Sequence, residues 1–114
     1  MGGQETVICL YRVRKGNERK FVKLLQRHWP TLRRFGLVTA ARPKHFRGVE
    51  QGGRAYPIFV EIFDWKNARA AQMAHEHPEV MAIWEPMDKL CEARDGRPNM
   101  EFPHVRPLKI RVQA

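Results

Sequence analysis

The spacing of hydrophobic residues divides the first third of this 114-residue chain into a strand and a helix. Residues 5–14 are rich in β-branched and aromatic side chains, which favours a strand. Asn17 is the predicted N-cap of the following helix, and Gly36 its predicted stop. Pro30 predicts a kink near residues 26–29. The buried face of this amphipathic helix recurs at spacings of three, four and seven residues: Phe21, Leu24, Leu25, His28, Leu32 and Phe35.

The middle of the chain has the pattern of two strands joined by a loop. Residues 37–46 predict a weak strand, in which Pro43 indicates an edge or a bulge. Residues 48–55 are glycine-rich and predict a flexible loop. Residues 56–65 predict the clearest strand, and because they are almost continuously apolar we expect both of its faces to be covered.

Two further helical segments follow. Asn67 is expected to cap a helix that runs to about His75. A second segment is expected to begin at Pro78, which fits a first helical turn, and to run to about Ala93. Pro86 should interrupt this second segment, because proline removes a backbone donor from a helix interior.

A last strand completes the predicted order. It covers residues 101–112, after a turn at residues 95–98. Apolar and basic residues alternate near its end: Leu108, Lys109, Ile110, Arg111 and Val112. The order strand, helix, strand, strand, helix, strand predicts one ferredoxin-like βαββαβ domain over residues 1–114, with a four-stranded antiparallel sheet and the helices on one face.

The sheet face away from the helices is expected to be apolar as well. It should carry four large side chains, namely Ile8, Leu10, Phe59 and Phe63. Such a patch is larger than a soluble monomer usually exposes. We therefore expect a homodimer in which a second copy covers this face.

Composition excludes several classes of protein. Hydrophobic residues make up 43% of the chain and charged residues 29%, which is typical of a globular domain. No apolar run approaches the ~20 residues of a membrane helix, and no secretory signal is visible. With only two cysteines, Cys9 and Cys91, and no Cys-x-x-Cys pair, we expect reduced thiols, a cytoplasmic location and no thiolate zinc site.

Positive charge is concentrated in one half of the chain. The net charge is +9, but residues 1–54 hold 13 basic and 3 acidic side chains, whereas residues 55–114 hold 8 and 9. This asymmetry favours an anionic partner, or else it marks a solvated basic face that aids solubility. The basic residues of the first helix that could meet such a partner are Lys20, Lys23, Arg27, Arg33 and Arg34.

An RNA-recognition module has the same topology, but its stacking platform is missing. Ala55, Pro57 and Cys9 occupy positions where that module needs basic or aromatic residues. The basic helix alone would give only salt-sensitive, non-specific binding, so the pattern argues against nucleic acid as the partner.

Three segments of the chain, residues 13–18, 59–66 and 74–81, resemble the dimeric α+β barrel superfamily, and in particular the antibiotic biosynthesis monooxygenase-like domains. The resemblance implies a dimeric α+β barrel that binds a small hydrophobic or aromatic ligand. It also implies either a cofactor-free monooxygenase acting on an aromatic or polyketide-like compound, or a binder without enzymatic activity. The alternative is a non-enzymatic dimeric domain that binds an anionic partner through its basic first helix.

The haem-degrading relatives in this superfamily have a pattern that the chain does not match. They carry an Asn on the first strand, a Trp on the helix after the third strand and a His ten residues further on. The first strand here has no Asn, and Trp65 ends a strand, so that His75 and Trp84 fall near the Trp and His positions respectively. We therefore expect no haem, and the resemblance to the cofactor-free monooxygenase-like domains implies no other bound organic cofactor.

Strand parity suggests a catalytic pair. If the aliphatic face of the third strand meets the helices, Glu61 points into the barrel together with Arg12 of the first strand. Glu61 could then act as a base toward a phenol or enol, and Arg12 could hold a carboxylate or an oxyanion. The alternative is a structural ion pair, or a position in the dimer seam.

The histidines are further candidates. His75 and His77 diverge by about 200° if both are helical, which argues against a shared metal ion. His77 and His104 are candidates for proton transfer. The alternative for His75 is a position at a helix C-terminus, and the alternative for His77 is a hinge residue packed beneath the second helix. The expected ligand contacts are Leu10, Phe59, Phe63, Trp65, His75 and Trp84.

Overall fold

Five strands and three helices lie within residues 5–50 and 55–113, the part of the chain that this computed structural model describes. The elements are β1 (Glu5–Arg12), α1 (Glu18–Arg34), β2 (Lys44–Val49), β3 (Pro57–Trp65), α2 (Ala70–Ala74), α3 (Pro78–Leu90), β4 (Met100–Glu101) and β5 (His104–Val105).

The strands form one antiparallel sheet in the order β2-β3-β1-β4, and β5 also pairs with β1. β4 and β5 are two parts of a single edge strand, broken at Phe102 and Pro103. The helices cover one face of the sheet, where Phe21 of α1 packs against Phe59 of β3 at a ring-centroid distance of 5.5 Å. The predicted ferredoxin-like α+β fold is confirmed.

Helix α1 follows the predicted period closely. Its buried residues are Phe21, Leu25, His28 and Leu32, and Gly36 ends it with φ +70°, a left-handed conformation that suits glycine. Helix α1 includes Pro30, and α3 likewise runs unbroken through Pro86. The expected interruption at Pro86 is wrong, because α3 keeps the buried contacts of Val80, Ile83 and Met87 on both sides of that residue.

The second strand lies further along the chain than the predicted residues 37–46. Pro43 has no amide hydrogen for a ladder, and β2 begins directly after it. Leu37 and Val38 are nevertheless buried, and Val38 forms an isolated bridge with Trp65. Residues 48 and 49 of the predicted loop belong to β2, and residues 51–54 of that loop lie outside the described residues.

The last strand is much shorter than the predicted residues 101–112. Pairing with β1 ends at Val105, and residues 106–113 have no secondary structure. Leu108, Ile110 and Val112 are 81%, 70% and 82% exposed. Apolar and basic residues do alternate in this segment, but within the described residues it pairs with no strand.

The face assignment of β3 is the main correction to the sequence analysis. Phe59, Glu61, Phe63 and Trp65 face the helices and are buried, whereas the alternate residues are half-buried on the open face. The register explains this arrangement, because Glu61 lies opposite Cys9 of β1, which also faces the helices. Phe59 and Phe63 are therefore not part of the open face, although Ile8 and Leu10 are. The apolar residues of β3 on the open face are Ile58, Val60 and Ile62, and Asp64 follows them on the same face.

Candidate functional site

A cavity of about 600 Å³ lies between the helices and the sheet. Its walls are largely apolar, and side chains from β1, β3, α3 and the broken edge strand line them. A space of this size, with mostly apolar walls and a few polar groups, is typical of a small-molecule site. The apolar and aromatic lining residues are Val7, Cys9, Tyr11, Phe63, Trp65, Ala71, Met81, Trp84, Met87, Met100 and Phe102.

A fully buried carboxylate, Glu61, lies behind the cavity wall. His28 Nδ1 is 2.7 Å from its Oε1, His45 Nε2 is 2.7 Å from its Oε2, and the Tyr11 hydroxyl donates to Oε1 at 3.2 Å. Burial raises the pKa of Glu61, but the electrostatic interactions and hydrogen bonds that it makes with the imidazoles of His28 and His45 outweigh burial and hold it at about 2. Glu61 is therefore ionised and accepts all three hydrogen bonds.

His28 connects this carboxylate to the cavity. The indole Nε1–H of Trp84 donates to His28 Nε2 at 2.8 Å. An indole nitrogen can only donate, so His28 Nε2 carries no proton and the proton of the neutral ring lies on Nδ1, where Glu61 accepts it. The geometry thus assigns His28 as a neutral imidazole whose lone pair points to Trp84, a residue that lines the cavity.

The remaining polar partners of Glu61 hold it in place. The pKa of His45 is raised, chiefly by its hydrogen bond to Glu61, against the opposing effect of partial burial. Burial, together with the neighbouring Cys9 and Glu61, raises the pKa of Tyr11, which keeps its hydroxyl protonated as a donor. Burial also raises the pKa of Cys9, so this cavity-lining thiol is not a nucleophile.

The structure separates the two halves of the predicted Glu61–Arg12 pair. Arg12 lies on the open face, where it contacts Glu50 at 3.0 Å, Glu101 at 2.7 Å and the carbonyl oxygen of Pro98 at 2.7 Å. Glu61 lies on the helix face. It is paired with Cys9, and because Cys9 and Arg12 are an odd number of positions apart on β1, their side chains point to opposite sides of the sheet. The pair does not share a cavity.

The other candidate residues fall into two groups. Phe63, Trp65, His75, Trp84 and His104 line the cavity. Three others do not. Leu10 is on the open face, Phe59 packs against Phe21, and His77 stacks on Phe35 with a centroid distance of 4.4 Å.

Sequence reasoning missed His28, Tyr11 and His45 as partners of Glu61. A usable signal was present for His28, because it occupies a core position of α1. Glu61 lies in an otherwise largely apolar strand. Since buried titratable side chains need hydrogen-bonding partners, His28 and Glu61 could have been predicted to pair with each other. No comparable signal marked Tyr11 or His45, whose contacts depend on the strand register.

Within residues 5–50 and 55–113, no group of three or more His, Cys, Asp or Glu side chains could hold a metal ion. In the same residues, no helix has the length and apolar character needed to cross a membrane.

Comparison with known proteins supports the fold. No protein-family model and no curated protein sequence matches the chain. A mutant of SnoaB, a cofactor-independent oxygenase from Streptomyces nogalater, aligns with a TM-score of 0.66 at 13% identity over 94% of this chain and 95% of its own. A dimeric ferredoxin-like protein of unknown function from Jannaschia aligns with a TM-score of 0.68 at 13% identity over 92% and 100%.

A third solved structure, a candidate antibiotic biosynthesis monooxygenase from Nitrosomonas europaea, has a TM-score of 0.67 at 11% identity over 95% of this chain and 93% of its own. Identities this low establish the fold and not the reaction. The chain has the ferredoxin-like fold of the dimeric α+β barrel and antibiotic biosynthesis monooxygenase-like proteins, as its motifs predicted.

Proposed function

We propose that this protein binds a small aromatic or polyketide-like compound in the cavity and acts on it as a cofactor-free, monooxygenase-like enzyme. The observation that carries the proposal is the His28–Glu61 pair at the wall of a largely apolar cavity of about 600 Å³. A buried carboxylate that orients a neutral imidazole is a common arrangement for a general base. The SnoaB fold match supports the same class of reaction.

In the proposed mechanism, His28 replaces Glu61 as the base. His28 Nε2 removes a proton from an acidic phenol or enol, and the charge of Glu61 stabilises the imidazolium that forms. The resulting carbanion reacts with dioxygen. Conversion of a CH₂ group to a carbonyl consumes one O₂ and releases one water, which balances atoms and electrons without an organic cofactor. Arg12, on the opposite face of the sheet, has no part in these steps.

The proposal also includes a homodimer formed through the open sheet face. Ile8, Leu10, Val60 and Ile62 form an apolar surface there, and Phe46 of β2 is 53% exposed. A second copy of the sheet would remove this surface from water. The dimeric Jannaschia protein of the same fold supports this arrangement.

The proposed location is the cytoplasm. Cys9 and Cys91 are both free and buried, and neither is paired in a disulfide. Unpaired thiols suit a reducing compartment.

The proposed activity is tested with a panel of hydroxyaromatic compounds, with binding measured by calorimetry and turnover by oxygen consumption. In the variant His28→Gln we expect oxygen uptake to fall at least a hundredfold, because a general base contributes about 10²–10⁴ to the rate. Ligand affinity should change much less. Trp29→Phe is the matched control, because Trp29 lies on the same helix but does not line the cavity. Absence of binding across the panel, or full activity in His28→Gln, would contradict the proposal.

The non-enzymatic alternative is supported by a different surface. Lys20, Lys23 and Arg27 are exposed on α1 and could meet an anionic partner. Salt distinguishes the two functions, because binding through these residues should disappear between low and moderate salt. Binding in the apolar cavity should persist.

A further inference from the structure

His28 has a hydrogen-bonding partner on each ring nitrogen, and the two partners differ in burial. Glu61, on the Nδ1 side, is fully buried and held by His45 and Tyr11 as well. Trp84, on the Nε2 side, is half-buried, lines the cavity and meets His75 edge-on at a centroid distance of 4.8 Å. The lone pair that the proposed reaction needs is therefore covered by an indole that borders open space.

The charges around the cavity select the kind of group that can reach this lone pair. Glu61 carries a negative charge directly behind His28. Two further carboxylate side chains, those of Glu85 and Asp88, line the cavity itself. Lys89 is the one permanent cation among the described residues of the lining. An anionic ligand group would be repelled by this arrangement, whereas a neutral hydroxyl can both donate to a nitrogen lone pair and accept from an N–H.

We propose that a neutral ligand hydroxyl inserts between Trp84 and His28, accepting a hydrogen bond from Trp84 Nε1 and donating one to His28 Nε2. The inference rests on the proposed function and specifies how the ligand would be held. One N–H···N bond of 2.8 Å is exchanged for two hydrogen bonds that share the hydroxyl oxygen. With ordinary hydrogen-bond lengths the two nitrogens must separate by about 2 Å, which the cavity beside Trp84 permits.

Insertion gives Trp84 a second role. The ligand proton then lies in line with His28 Nε2, which removes it during the reaction. The indole N–H faces the same oxygen, where negative charge develops as the proton leaves, and a fixed donor at that point stabilises the anion. Trp84 thus covers the base in the empty site and holds the ligand oxygen in the occupied one.

Nuclear magnetic resonance of ¹⁵N-labelled protein tests this exchange directly. In the free protein we expect a scalar coupling across the hydrogen bond between Trp84 Nε1 and His28 Nε2. Trp84→Phe should abolish the coupling and shift the His28 Nε2 resonance toward that of an unbonded ring nitrogen. Trp29→Phe, which removes another buried indole N–H, should change neither signal.

Three test ligands of similar shape then separate the outcomes. Saturation with 2-naphthol should abolish the coupling and give a nuclear Overhauser effect between the Trp84 indole proton and the ring protons beside the hydroxyl. Naphthalene should bind and leave the coupling intact, and 2-naphthoate should bind at least tenfold more weakly than 2-naphthol.

Persistence of the coupling in the 2-naphthol complex would overturn the insertion, while the proposed cavity function would stand. Tighter binding of 2-naphthoate than of 2-naphthol would also overturn it. Failure of all three ligands to bind would count against the insertion and the proposed function together.

Discussion

The two faces of the sheet use the same two central strands in opposite ways. On the helix face, β1 and β3 bury aromatic side chains and Glu61 beneath α1 and α3 and leave a cavity beside them. On the open face, Ile8, Val60 and Ile62 are only half-buried by the described chain. One face is enclosed within the protomer, and the other keeps apolar side chains partly exposed.

Each face also buries one charged residue of β1 or β3, and the partners differ in kind. Glu61 is surrounded by two imidazoles and a phenol, groups whose protons can move or be shared. Arg12 is held by the carboxylates of Glu50 and Glu101 and by a backbone carbonyl, so its charge is matched by permanent charges. The first arrangement suits proton transfer, whereas the second fastens loops to the sheet.

The largest expected effect is a weakening of the proposed dimer by a substitution on the open face. Val60→Asp places two carboxylates at the proposed interface, one from each copy, and an unpaired buried charge costs several kcal/mol. We expect the dimer dissociation constant to rise by roughly a thousandfold, measured by analytical ultracentrifugation. Gln72→Asp, at an exposed position of α2, is the control and should leave dimerisation unchanged. An unaltered dimer in Val60→Asp would mean that the open face is not the interface.

A smaller effect, a loss of folding stability, is expected from a substitution on the helix face. Glu61→Gln removes the charge that accepts hydrogen bonds from His28, His45 and Tyr11, and an amide cannot accept all three. The free energy of unfolding, measured by urea denaturation, should fall by about 3 kcal/mol.

Glu79→Gln is the matched control for Glu61→Gln, because Glu79 pairs with Arg34 on the exposed surface. Exposed ion pairs contribute less than about 1 kcal/mol. Equal losses in the two variants would show that the buried network adds nothing beyond an ordinary surface pair.

The exposed segment of residues 106–113 gives a second test of the proposed dimer. Leu108→Ser combined with Ile110→Ser should weaken the dimer by about tenfold if a partner covers these side chains. Stability of the monomer should not change, because both residues are largely exposed within one protomer. Lys109→Ser is the control. An effect confined to monomer stability would instead show that this segment folds back on its own protomer.

The smallest expected effect is a change in how folding stability depends on pH, and it involves titratable residues on the helix face. The pKa of Glu61 is about 2, below its ordinary 4.5, so its contribution to stability is present above pH 4.5 and is lost as pH falls toward 2. The pKa of His45 is raised above 6.5, so its contribution is present below pH 6.5 and is lost as pH rises through the raised value.

His45→Gln should therefore flatten the alkaline side of the stability profile. The change should be below about 1 kcal/mol, because the side chain is 42% exposed and solvent screens the pair. Urea denaturation between pH 5 and pH 9 measures the change. A profile for His45→Gln that matches the unaltered protein would contradict the role of this pair.

The sequence alone determined the elements whose signals are local. The period of α1, the β-branched composition of β1, the apolar run of β3 and the left-handed stop at Gly36 each depend on neighbours a few residues away. Their order then leaves few topologies for a single domain, which is why the ferredoxin-like arrangement followed from the chain itself.

Only the tertiary structure decided which face of β3 meets the helices. Each face of β3 is apolar apart from one carboxylate, Glu61 on one face and Asp64 on the other, so alternation could not distinguish them, and the register with β1 settled it. The same register brings His28, from a different element, to Glu61, and α3 brings Trp84 to His28. These contacts join residues 33 and 56 positions apart, and no local pattern encodes a pairing over such separations.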